Sequence, residues 1–173
     1  MSKSADLVGD LYDAARGETD WAGVLCAVAD ACGMENTALV HVDLALGYSD
    51  VIAPRADPEV ISAYNADWWK CDPTVAGTAG APVGLHTTLR DTGRARFLAS
   101  PFYNDFWRHS DLGAERIAVN LVQTDNTFVS CVLQALPYRD EIEQASPRWP
   151  QSATIGFFVS EPALTFSLQS SGW

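Results

Sequence analysis

Residues 117–123 and 127–136 are two runs rich in β-branched and aliphatic residues, joined by Thr124-Asp125-Asn126. Asp and Asn tolerate left-handed backbone angles, so the three-residue joint predicts a tight turn and the two runs predict an antiparallel hairpin. No other stretch of the chain limits the fold as strongly. Whatever precedes it must supply the rest of a sheet and the helices that cover it.

Two amphipathic helices are predicted first. One, capped by Ser4, carries Leu7, Val8, Leu11, Tyr12 and Ala15 at helical spacing and ends at Gly17. The other begins near Asp20, aligns Trp21, Val24, Leu25, Val28 and Cys32, and stops at Gly33. Residues 37–45 then read as a strand, 47–50 as a turn and 51–53 as its hairpin partner. Asp57-Pro58 predicts a capped helix through Val60, Ile61, Tyr64 and Trp68, halted by Asp72-Pro73. Residues 77–84 read as a flexible connection, 83–89 as a short edge strand, and Ser100-Pro101 as the start of a fourth long helix. This order predicts an α+β fold, a central antiparallel β-sheet flanked by helices, and not a wound parallel sheet. One domain is expected over residues 1–146. Residues 147–173 form a proline-containing tail with Glu161 as the only charge after residue 150, read as late strands or as a segment packed on a neighbour.

The formal charge of −11 repels phosphate and anionic lipid, so direct nucleic-acid binding by this chain is not expected. Arg90, Arg94, Arg96, Arg108 and Arg116 lie among Asp91, Asp105, Asp111 and Glu115, and read as a mixed solvated face. The first ten residues carry acids and no continuous apolar run, which implies neither a signal peptide nor a membrane span and hence a cytoplasmic protein. Cys26, Cys32, Cys71 and Cys131 form no C-x-x-C pair and read as buried free thiols.

Catalytic signatures are thin. His41, His86 and His109 form no zinc-ligand spacing, no serine sits in a G-x-S-x-G elbow, and the glycines of residues 77–84 precede a strand where a phosphate loop would precede a helix. No metal, cofactor or enzymatic activity is expected.

Aromatic side chains are the positive signal. Tyr64 and Trp68 are spaced one helical turn apart with Trp69 beside them, and Phe102 with Phe106 and Tyr103 with Trp107 mark two adjacent faces of the next helix. Such rings build either a core or the wall of a pocket for a mostly apolar guest, and both readings stand. Tyr64, Trp68, Trp69, Phe106 and Trp107 are the candidate walls. Asp72, His86 and Asn120 are the candidate polar contacts, although Asp72 before Pro73 can simply end a helix and Asn120 can satisfy a buried loop.

"AYNADWWKCDPTV" followed by "SPFYNDFWRHSDLGAERIAVNLVQ" resembles the N-terminal sensory domain of LuxR-type transcriptional regulators, in the branch with a PAS/GAF-like fold. The likeness covers about residues 5–140. It implies a small-molecule-sensing domain built on an antiparallel sheet flanked by helices, and usually a C-terminal helix-turn-helix, which has no basic counterpart in the sequence to Trp173; a homodimer formed through apolar helix faces or the tail is expected. In the related acyl-homoserine-lactone sensors a tryptophan and a tyrosine precede the Asp-Pro pair. Here Glu59 and Ala63 stand at those two places, and only Asp72-Pro73 carries over, so a different small apolar or amphipathic ligand is expected. A rival reading is an interaction module that heterodimerises through Tyr103 and Trp107. A weaker one is an enzyme pairing His86 or His109 with Asp72 or Asp105.

Overall fold

The computed structural model describes residues 3–135, with side chains from residue 7 onward; the expected tail, residues 147–173, lies outside the described residues. At its centre is a five-stranded antiparallel sheet in the order β2-β1-β5-β4-β3. The strands are β1 (Asn36–Asp43), β2 (Tyr48–Ile52), β3 (His86–Thr88), β4 (Arg116–Gln123) and β5 (Thr127–Gln134). The hairpin predicted at residues 117–136 is therefore the middle of the sheet. β5 pairs with β4 on one side and β1 on the other, and every residue after its first is buried, as a central strand covered on both faces requires. The fold is α+β, with helices flanking the sheet.

Side-chain alternation divides the sheet into two faces with different tasks. Leu39 of β1 and Val129 of β5 point to one face, where they bury Leu25 of helix α2 (Trp21–Cys32) together with Trp21, Ile52, Leu121 and Val122. Asp20 caps α2 by accepting the Gly23 N–H at 3.1 Å, and Gly33 ends it in the left-handed conformation, φ 65°. Helix α1 (Lys3–Ala15) packs on α2 and takes in Ser4 instead of starting after it. The bulge in β4 between Asn120 and Val122 inserts Leu121, so Val122 turns to the α2 face and does not share a face with Ala118 and Asn120, as strict alternation would have it.

The other face carries the aromatic layer. Helix α3 (Pro58–Ala66) opens as predicted, with Asp57 accepting the Glu59 N–H at 2.8 Å and Pro58 in the first turn. It does not reach Asp72. The chain leaves α-helical geometry at Asp67 (φ −146°, ψ −36°) and continues as a 3₁₀ turn, Trp68–Cys71. Tyr64 and Trp68 are consequently not stacked along one helix; each meets the Phe102 ring edge-on instead, at 6.1 and 6.4 Å.

The stretch expected to be a flexible connection contains helix α4 (Val75–Ala79). A Cβ on Gly77 would stand 2.8 Å from Thr92 Cγ2, so glycine is what lets α4 approach α5 (Leu89–Thr92) this closely. α5 starts on a reciprocal cap between Thr88 and Asp91, and α6 (Arg94–Leu98) follows Gly93. Both were unanticipated, because four- and five-residue helices are too short to show periodicity.

No helix among the described residues is long and apolar enough to cross a membrane. All four cysteines are free thiols, but only Cys131 is buried, and burial pushes it up to about 12; Cys26 and Cys32 are half-buried and Cys71 is exposed, contrary to the expectation of four buried thiols.

Candidate functional site

Between the aromatic layer and the sheet lies a cleft, partly open to solvent, with about 40 Å³ of free space, enough for a few waters. Its floor follows from strand register. Ala38 of β1 lies opposite Val132 of β5, which lies opposite Ala118 of β4, and Val40, Val51 and Ala53 pack on this row. Small side chains in the middle of a sheet leave room that the layer above does not fill. Ile61 and Tyr64 of α3, with Trp107 and Leu112, close the cleft from above.

One end is polar. The next row of the sheet is Asn36, Gln134 and Arg116, on β1, β5 and β4. Gln134 and Arg116 line the cleft, and Asn36 Nδ2 donates to Gln134 Oε1 at 2.8 Å. Asp72 faces them from the layer above. Its Oδ1 accepts the Thr74 N–H at 2.8 Å and the Thr74 hydroxyl at 2.5 Å, and its Oδ2 accepts the Tyr64 hydroxyl at 3.2 Å. Arg116 Nη1 stands 3.7 Å from the same Oδ2, an ion pair whose partners are 12% and 3% exposed. The reading of Arg116 as part of a solvated face is thus corrected: alternation with Ala118 and Asn120 turns it inward at the start of β4.

The aromatic wall depends on an unusual turn. Ser100-Pro101 does begin a helical segment, but Phe102–Phe106 is a π-helical turn followed by a 3₁₀ turn, Trp107–His109, where an α-helix was predicted. In the wider turn residues five apart come level, so Trp107 stacks on Phe102 at 5.7 Å (24° between planes) and no longer shares a face with Tyr103. Trp107 is buried with its indole N–H donating to the Gly113 carbonyl at 3.2 Å, which removes it as an anchor for a partner chain. Phe106 stacks on Trp68 at 4.9 Å, 7° from parallel.

Of the residues singled out in the sequence, Tyr64, Asp72 and Trp107 come together on the cleft. Trp68 and Phe106 stand behind them in the aromatic cluster, and Trp69 is buried there with its indole N–H lacking an acceptor among the described residues. Asn120 serves the loop: its Nδ2 donates to the carbonyls of Thr78 at 2.6 Å and Ala81 at 2.8 Å, and its Oδ1 accepts the Ser130 hydroxyl. His86 is exposed on the edge strand β3. His109 is exposed too, and among the described residues neither histidine shares a hydrogen bond with Asp72 or Asp105. No cluster of side chains suited to a metal ion occurs among the described residues. Ala38, Ala53, Arg116 and Gln134 escaped sequence reasoning, since only strand pairing puts them side by side.

Burial, then the neighbouring Asp72 charge, holds the Tyr64 hydroxyl well above its usual range. The native state therefore keeps this proton after an unfolded chain, titrating near pH 10, has lost it. Stability from this group is complete below about pH 10 and falls as pH climbs toward the folded value. Tyr64→Phe is expected to flatten that part of the alkaline stability curve, as read by urea unfolding at stepped pH against the unsubstituted protein.

Neither a protein-family model nor a curated protein sequence matches the chain. Among solved structures, the fold is similar to that of the VqsR ligand-binding domain (LBD) from Pseudomonas aeruginosa, with a TM-score of 0.57 over 83% of this chain and 86% of that one, at 17% identity.

Proposed function

We propose that this chain is the small-molecule-sensing domain of a LuxR-type transcriptional regulator, or of a relative of one, and that it takes a small, mostly apolar ligand in the cleft between sheet and helices. The observation that carries the reading is the cleft itself: an alanine- and valine-lined floor, a buried tryptophan and tyrosine above, and a few polar groups gathered at one end. This is the composition of sites that grip an apolar body and orient it by few contacts. The shared fold with a ligand-binding domain supports it. Tyr64, Asp72 and Trp107 contact the ligand in this reading; Trp68, Trp69 and Phe106 hold the wall, Asn120 secures the loop behind it, and His86 has no direct part. Binding becomes a signal through differential affinity for two packings of α3 and the aromatic turn over the sheet. The assembly is a homodimer.

Tryptophan fluorescence and thermal unfolding of the full chain, titrated with a panel of small apolar metabolites, test the reading. A true ligand at a hundred times its Kd is expected to add about 2.7 kcal/mol, or roughly 5–10 °C in Tm for a chain of this size. Ala38→Phe fills the floor and is expected to abolish that rise while the protein still unfolds cooperatively. If no compound raises Tm, or if Ala38→Phe binds as well as the original, the cleft is not a ligand site.

A further inference from the structure

Resting on the sensing reading above, we infer that Arg116 and Gln134 are the anchor for a carboxylate at one end of the ligand. Arg116 is largely buried, yet the carboxylate that pairs with it, Asp72 Oδ2, lies at 3.7 Å, beyond hydrogen-bond reach, and among the described residues no acceptor forms a hydrogen bond with the guanidinium. Asp72, by contrast, is already served by three donors: the Tyr64 hydroxyl and the N–H and hydroxyl of Thr74. The shortfall therefore lies with the cation. Asp72 balances the charge of Arg116 but fills none of its five N–H donors, which stay open to the cleft and to an anion that replaces the water there.

The adjoining row of the sheet supplies a second donor. Gln134 is buried, lines the cleft, and has its carbonyl oxygen committed to Asn36, which leaves its Nε2 hydrogens without a partner among the described residues. Arg116 and Gln134 are cross-strand partners, so their head groups project from the same face at neighbouring positions. A planar fork of N–H donors with one more beside it matches the two oxygens of a carboxylate, bound side-on to the guanidinium. Asp72 lies across the cleft end and repels an anion, which sets the orientation: the carboxylate lies on the Gln134 side of Arg116, and the apolar tail runs over Ala38, Ala53 and Val132. With about 40 Å³ free, the part that enters is short or flat.

The test is a titration of the full chain with short carboxylates from butyrate to phenylacetate, alongside the methyl esters and primary alcohols of the same tails, by calorimetry and tryptophan fluorescence. The acids are expected to bind and the esters and alcohols to bind at least about tenfold more weakly, one charge-assisted hydrogen bond being enough for that ratio. Arg116→Gln is expected to weaken the acids about ten- to a hundredfold without changing the neutral compounds. Arg116→Lys keeps the charge, guards against a folding defect in the first variant, and is expected to recover only part of the affinity because it lacks the fork. If esters or alcohols bind as well as acids, and Ala38→Phe abolishes their binding, the sensing reading stands and the carboxylate anchor is overturned. If acids bind equally to the original, Arg116→Gln and Gln134→Leu proteins, the anchor is likewise overturned. If nothing in the panel binds while other apolar compounds raise Tm, the carboxylate assignment falls alone; if nothing raises Tm at all, both fall.

Discussion

Phe102→Ala is expected to destabilise the protein by about 3–5 kcal/mol, the range for removing a large ring from a packed interior. Phe102 is 1% exposed and is the ring on which the layer above the sheet converges. Tyr64, Trp68, Phe97, Phe106 and Trp107 all lie within 6.4 Å of it, centroid to centroid. They sit on five different helical elements, so no single backbone shift can close the space left behind, and the cost belongs at the upper end of the range. Urea denaturation followed by far-ultraviolet circular dichroism checks it. A loss below about 2 kcal/mol would mean that the neighbours collapse into the gap, contrary to the packing described.

Asp72→Ala is expected to cost about 3–5 kcal/mol, the penalty for breaking a buried ion pair from one side. The substitution strands the Arg116 guanidinium and removes the acceptor from the Tyr64 hydroxyl and from both donors of Thr74. It also releases the turn in which Thr74 folds back on Asp72 just before α4. Asp72→Asn keeps an oxygen for the Thr74 N–H and is expected to lose less. Adding Arg116→Met to Asp72→Ala is expected to recover part of the loss, because the stranded charge goes with it. A double variant no more stable than Asp72→Ala would show that the turn, and not the unpaired cation, carries the penalty.

Local chemistry made much of this fold readable before any coordinates. Asp20 and Gly33 bound a helix because one accepts a free N–H and the other adopts positive φ; Asp57-Pro58 starts one; the β4–β5 hairpin announces itself by composition and a polar turn. What failed was continuity. A run of apolar residues at helical spacing does not reveal that the chain changes from α to 3₁₀ at Asp67, or widens to π geometry at Phe102, since packing against a shared ring decides both. The site was half readable for the same reason. Aromatic richness pointed to Tyr64 and Trp107, and the Asp-Pro pair pointed to Asp72. Arg116 looked like one basic residue among acids until strand register set it beside Gln134. Alanines at 38 and 53 carry no local signal, for their effect is the volume that they leave.

The five-residue turn at Phe102–Phe106 also makes chain length itself a constraint. Each residue of an α-helix rotates the chain by about 100°, so a further residue inserted within 103–105 would swing Trp107 away from Phe102 and off the rim of the cleft, whereas a one-residue deletion there would leave the two four apart, one α-helical turn, and still on one face. No change of side chain at a neighbouring position could undo the insertion. Insertions are therefore expected to be tolerated in the exposed loop of residues 44–47 and rejected in this turn, where a one-residue deletion is the change of length that the packing can absorb, even where single replacements at its exposed position, Asp105, are accepted.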